Sequence, residues 1–374
     1  MASFSCQQRS VSQRIFLVSV VLLLNASAGL CSCYKRIFSF GDSIIDTGNF
    51  ANGKGPLMEF PFGMTYFKRP TGRICDGRVL IDFYAQALQL PLVPPNLPEK
   101  DTGLFPNGAN FAVFGSTAMP PEYFRRFHHS VPLCVTWACR WAGSKISCTG
   151  LPPTTVYTVY ILLHTPHPCM QSVGYPLHEL FDLSDAKRRI LSESLNVLGE
   201  IGGNDYNYWF SGNMPREQAA QFTPDIMAAI GSSIQELINM GAKVIMVPNN
   251  FPIGCVPASL SRYRSNNRAD YDELGCLRWY NDFSRRHNQE LRRVVDGLAA
   301  RNPGVKLIYA DYYGAAMEFI RDPHRNCDRT ARIWGNPSSF ASWDGVHMTE
   351  KAYEVIARGV IDGPFANPPL LRAC

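Results

Sequence analysis

The sequence predicts an α/β fold with a central parallel sheet covered by helices on both faces. Three observations carry this. Short apolar runs of β-prone residues recur at Ile37–Phe40, Leu195–Ile201, Ala242–Pro248 and Val305–Asp311. Long amphipathic segments at helical spacing lie among them, at Ile226–Met240 and Asn281–Arg301. Strands buried on both faces read as continuous apolar runs, and strands alternating with helices build a parallel sheet. Finally, glycine-rich turns follow several runs, where the carboxyl ends of strands in open α/β sheets gather ligands.

Taken in order, Ile37–Phe40 ends abruptly at Gly41-Asp42-Ser43, residues that favour turns and helix starts. On its own that triplet reads as a helix-capping turn. Asp76 is the expected N-cap of a helix running to Leu88, with Val79, Phe83 and Ala87 on one face. Phe111–Phe114 reads as a short buried strand ended by Gly115. Leu195–Ile201 is a strand, and Gly202-Gly203 makes a tight turn after it. The helix Ile226–Met240 stops at Gly241. The helix Asn281–Arg301 carries a stripe of Phe283, His287, Leu291, Val294 and Leu298, so that His287 is expected to be a partly buried helix residue. Thr349 can cap a last helix, Glu350–Ile361.

A chain of 374 residues with 46% hydrophobic and 18% charged residues suits one large α/β domain. Residues 1–28 read as a secretory leader: Arg9 and Arg14, an apolar stretch from Ile15 to Leu24, then Ala26-Ser27-Ala28 as the cleavage site. The stretch is shorter than the roughly 20 residues a bilayer span needs, so no stable membrane span is expected. Cleavage removes two arginines and no acid from the formal +5, leaving +3. No basic tract is clustered, which argues against a nucleic-acid partner. Of 12 cysteines, Cys6 leaves with the leader. The odd remainder of eleven suits an oxidising compartment with one thiol unpaired. Beyond Asn25 no glycosylation sequon remains, since Asn336 is followed by proline.

Near the other end, Ser342-Trp343-Asp344-Gly345-Val346-His347 sets a carboxylate and an imidazole three residues apart. Nucleophilic catalysis by serine needs a base for the hydroxyl proton and a carboxylate to orient that base. Phe40-Gly-Asp-Ser-Ile-Ile-Asp-Thr-Gly-Asn49, the Asn107–Ala118 segment around Gly115, Gly202-Gly203-Asn204-Asp205 and Asp344-Gly-Val-His347 together resemble the four blocks of the plant GDSL esterase/lipase family, within the SGNH hydrolases. The G-x-S-x-G elbow of other α/β hydrolases is absent, in keeping with an N-terminal nucleophile.

The resemblance implies a three-layer αβα sandwich of flavodoxin-like type. It implies Ser43 as nucleophile, His347 as base and Asp344 as its orienting carboxylate. It makes an oxyanion hole of the Ser43 and Gly115 N–H groups and the Asn204 amide, with neither metal nor organic cofactor. It further implies a secreted, apoplastic enzyme acting on small-molecule carboxylic esters or lipids, and pairing of Cys255 with Cys276. Pro91-Leu-Val-Pro-Pro95 is similar to members related to acetylajmalan and sinapine esterases, which leans toward small soluble esters. Acyl transfer to another alcohol would use the same residues, and a secreted binding protein without activity is a third expectation.

The chain departs from the family in three places. Residues 120–182 form an atypical excursion within a domain otherwise spanning 29–374. They carry His164, His167 and Cys169 without metal-ligand spacing, and the sharp stop and restart of the resemblance suggests a retained intron. The segment Pro323–Ser342 is short, and Phe114 is bulky beside Gly115.

Overall fold

The computed structural model describes residues 33–51, 55–96, 105–119, 123, 185–212, 214–321 and 337–373. The leader, the 120–182 excursion apart from Tyr123, and the Asn326-Cys327-Asp328 stretch lie outside the described residues. Tyr34–Cys374 forms one compact unit.

The sheet is built from β1 (Arg36–Phe40), β2 (Gly108–Asn110), β3 (Ser194–Leu198), β4 (Val244–Pro248), β5 (Lys306–Ala310) and β6 (Ala366–Asn367), in the order β2-β1-β3-β4-β5-β6. The first five run parallel, and β6 joins the β5 edge antiparallel. The chain first moves from β1 to one side and then returns to place β3 on the other. β1 is therefore a topological switch point, and a crevice opens beyond its carboxyl end. Phe38 faces Ala109 on one neighbour and Asn196 on the other.

Alternation along the strands sorts two cores. Ile37, Leu195, Val197, Met246 and Ile308 point to a layer made by α1 (Leu80–Ala87), α7 (Tyr312–Arg321) and α8 (Glu350–Ile361). Phe38, Phe40, Leu198, Ile245, Val247 and Leu307 point the other way. They meet α3 (Gly203–Ser211), α4 (Thr223–Asn239) and α6 (Arg278–Arg301). The described residues also hold the shorter helices α2 (Asp185–Ser192) and α5 (Pro257–Arg262) and a single helical turn, Arg216–Ala219. With both faces covered, the fold is a three-layer α/β/α sandwich.

Local chemistry explains the ends. α4 stops at Gly241, whose φ of +110° suits glycine. There Ala242 N–H reaches Leu237 O and Gly241 N–H reaches Ile238 O, which satisfies two terminal carbonyls. Thr349 caps α8 by accepting the Ala352 N–H at 3.3 Å.

Three expectations shift. α1 begins at Leu80 rather than after Asp76. The Asp76 carboxylate instead accepts the Glu350 N–H at 2.7 Å and so serves the start of α8. Phe111–Phe114 is not strand: β2 is Gly108–Asn110. The Phe111 and Val113 N–H groups still reach Ser39 and Gly41 carbonyls, but no ladder forms beyond Asn110. The buried stripe of α6 runs Tyr280, Ser284, His287, Leu291, Val295 and Leu298, one step round from that expected, and His287 is fully buried.

One covalent and one ionic tie brace the loops that follow the strands. Cys255 and Cys276 form a disulfide across 21 residues. Arg73 makes a bidentate pair with Asp82, at 2.7 Å to each oxygen, while its third nitrogen donates to Thr47 O at 3.3 Å.

Candidate active site

The five residues singled out in the sequence come to one cavity of about 750 Å³ at the switch point. Ser43 follows β1, Gly115 follows β2, Asn204 opens α3 after β3, and Asp344 and His347 sit just ahead of α8. The Ser43 turn is shaped by Asp42. Its Oδ1 accepts the Ile44 N–H at 3.0 Å, and its carbonyl accepts those of Ile45 and Asp46.

His347 Nδ1 lies 2.6 Å from Asp344 Oδ2, and His347 Nε2 lies 2.9 Å from Ser43 Oγ. The carboxylate only accepts, so Nδ1 carries the proton and Nε2 accepts from the serine hydroxyl. Asp344 is fixed in turn, its Oδ1 accepting the N–H groups of Val346 and His347. Burial works to raise the Asp344 carboxyl, but the imidazole and these N–H groups outweigh it and hold it below its ordinary value. Burial works to lower the His347 pKa, yet the Asp344 charge and hydrogen bond outweigh it and raise it.

Among the described residues, the N–H groups of Ser43 and Gly115 find no hydrogen-bond acceptor. Gly115 holds φ at +78°, a left-handed conformation that favours glycine. Asn204 Nδ2 donates to Asp42 Oδ2 at 2.9 Å and to Ser116 O at 3.0 Å. Its Oδ1 faces Asn207 Nδ2 at 3.5 Å, and Asn207 accepts from Tyr280 Oη at 2.9 Å. Flipping the Asn204 amide would set its oxygen against two acceptors, so this network fixes the orientation.

Several supporting residues had no role assigned from sequence. The buried Asp46 carboxylate accepts N–H groups from Gly48, Asn49, Phe50 and Phe114, and so binds the serine turn to the Gly115 loop. Burial pushes its pKa up to about 6 in spite of these donors. Asn49 donates to Asn110 O and Ala112 O. From the far side Tyr208 Oη donates to Gly115 O, while Asp205 accepts the Ala118 and Met119 N–H groups. Burial brings the Asp205 pKa to about 7. Asp46, Asn49 and Asp205 lie inside the blocks that carry the family resemblance, which was their sequence signal, while Tyr208 had none.

The walls are apolar. Phe50, Leu57, Phe62, Phe114 and Ile253 line the cavity. Phe114 packs on Phe50 at 4.9 Å between ring centroids and on the His347 ring at 5.6 Å, so its bulk shields the imidazole. His287 lies elsewhere, with Nδ1 3.0 Å from Tyr206 Oη and a pKa lowered by burial to about 3.

Residues 37–360 match the family described as GDSL-like lipase/acylhydrolase. The chain belongs to the GDSL lipase/acylhydrolase family. Two Arabidopsis thaliana GDSL esterase/lipases are 35% and 34% identical to it, each over 96% of this chain and over 92% and 90% of their own lengths. Sinapine esterase of Brassica napus is 32% identical over 99% of this chain and 96% of its own. Membership in the GDSL family makes the chain a carboxylic ester hydrolase on the SGNH sandwich. No helix of the described residues is long and apolar enough to cross a membrane.

Proposed function

We propose that the chain is a secreted serine esterase that hydrolyses small carboxylic esters through a covalent acyl-enzyme. The observation that carries this reading is the hydrogen-bond chain from Asp344 through His347 to Ser43, ending in an apolar cavity. Ser43 Oγ attacks the ester carbonyl as His347 Nε2 takes its proton. The same imidazole then returns the proton to the leaving alcohol, with Asp344 stabilising the imidazolium. The N–H groups of Ser43 and Gly115 receive the oxyanion. The Asn204 amide joins them, its Ser116-directed N–H shared with the oxyanion while the other stays on Asp42. Water, activated by the same His347, releases the acid. Preorganised donors of this kind are each worth about 10²–10³ in rate. The cavity's aromatic walls suit an apolar or aromatic acyl group.

Purified protein is expected to hydrolyse p-nitrophenyl acetate and butyrate. The base must be neutral to act, and its pKa is raised, so kcat/KM should fall as pH drops through a midpoint above the ordinary imidazole value of about 6.5. A rate profile whose acid limb lies below that value would contradict the assigned base.

Secretion is supported by the leader pattern and by the Cys255–Cys276 bridge, since such bonds persist in oxidising compartments. Protein recovered from the medium of expressing plant cells should begin at Gly29. Retention inside the cell with Met1 intact would reject this part of the reading.

A further inference from the structure

Beneath the serine lie two carboxyl groups that the hydrolytic steps leave unused. Asp42 and Glu200 are 3% and 5% exposed and are hydrogen-bonded to each other. Asp42 already accepts on both oxygens, from the Ile44 N–H and from the Asn204 amide. Glu200 Oε1 accepts the Gly203 N–H at 3.2 Å. A Cβ at position 203 would lie 2.6 Å from that oxygen, so the glycine leaves room for this carboxyl. Two buried carboxyls in contact share one proton, because both cannot ionise. Asp42 is the member committed to accepting, which leaves the proton on Glu200.

We infer that Glu200 is a positioning residue, a neutral acid whose O–H donates to Asp42 and thereby holds the Asn204 amide and the Ser43 turn in register. The inference rests on the serine-esterase reading of the site. Burial, and then the Asp42 charge, push the Glu200 pKa well above its ordinary value, in line with the geometry. The titratable groups facing the pair are His347 at the cavity and Asp205 and Tyr208 on α3. Tyr312 on α7 and Tyr353 on α8 face it from the opposite layer. Of these His347 is the cation once protonated. Asp205 is the competing anion, which further disfavours charge on Glu200. Loss of the Glu200 proton at high pH would set two anions side by side and displace the amide, so kcat should decline on the alkaline side.

The test compares Glu200→Gln and Glu200→Leu with wild type in the full chain. Glutamine keeps a neutral donor toward Asp42 and an acceptor toward Gly203, but cannot titrate. Leucine keeps volume without either. Glu200→Gln should retain kcat within about threefold at neutral pH and lose the alkaline decline. Glu200→Leu should lower kcat about 10–100-fold with KM little changed, the scale of a misplaced catalytic group. Independently of activity, the infrared difference between wild type and Glu200→Gln at neutral pH should contain the carbonyl stretch of a protonated carboxylic acid. Equal impairment of both variants, an unchanged alkaline limb in Glu200→Gln, wild-type kcat in Glu200→Leu, or no acid band would each overturn the inference. A wild-type protein without Ser43-dependent hydrolysis would instead defeat the esterase reading, while the acid band would still decide the protonation of Glu200. If Glu200→Leu does not fold, the glutamine profile and the band suffice.

Discussion

Ser43→Ala is expected to reduce kcat for p-nitrophenyl butyrate by about 10⁵–10⁶-fold while leaving KM in the same range. The alanine keeps the backbone N–H of residue 43, so oxyanion donors survive and the residual rate should still exceed that in water by roughly 10³–10⁴. His347→Ala should cost a similar factor. The double variant should be little worse than either alone, because Ser43 and His347 act as one unit through the 2.9 Å contact. A fluorophosphonate probe should label wild type and leave Ser43→Ala untouched. Hydrolysis by Ser43→Ala above about 1% of wild type would place the nucleophile elsewhere.

Arg73→Met should be strongly destabilising although Arg73 takes no part in the proposed chemistry. Arg73 side-chain exposure is 7% and that of Asp82 is zero. Removing the guanidinium strands a buried carboxylate, whose remaining donor is the Val79 N–H at 3.0 Å. Breaking one side of a buried pair costs about 3–5 kcal/mol. In a chain of this size that is a fall in Tm of roughly 5–15 °C by thermal denaturation. Arg73→Met combined with Asp82→Leu should recover much of the loss, because the penalty belongs to the orphaned charge. Arg73 also donates to Thr47 O in the serine turn, so the single variant should lose activity before it unfolds. An unchanged Tm for Arg73→Met would show that water reaches Asp82.

How far the fold was legible follows the range of the forces that set each element. β1, β3, β4 and β5 were readable because strands buried on two faces must be apolar throughout. Their ends moved by one to three residues, because pairing with neighbours decides where a ladder stops. β6 was invisible: Ala366-Asn367 is only two residues long and directly precedes Pro368, and the β5 edge makes it a strand. The start of α1 was misplaced because Asp76 was claimed by Glu350, 274 residues away. At the site, the residues that face the cavity carried recognisable chemistry in short blocks. The carboxylates that hold them stood in or beside the same blocks without a role that a short pattern could name. Asp46, Asp205 and Glu200 take their roles from N–H groups and a partner acid that folding delivers from other segments. Their raised pKa values come from burial, which no local pattern announces.

The order of the strands also has a bearing on biosynthesis. Ser43 is made early, and the imidazole it needs comes 304 residues later. β6 and the fully buried Leu370 follow later still, closing the last edge of the sheet and its core. On the proposed assignment, a growing polypeptide displays its serine through more than 300 further residues of translation before its base is made. A product cut short before Asp344 is therefore expected to be inert toward the esters of the cell that makes it.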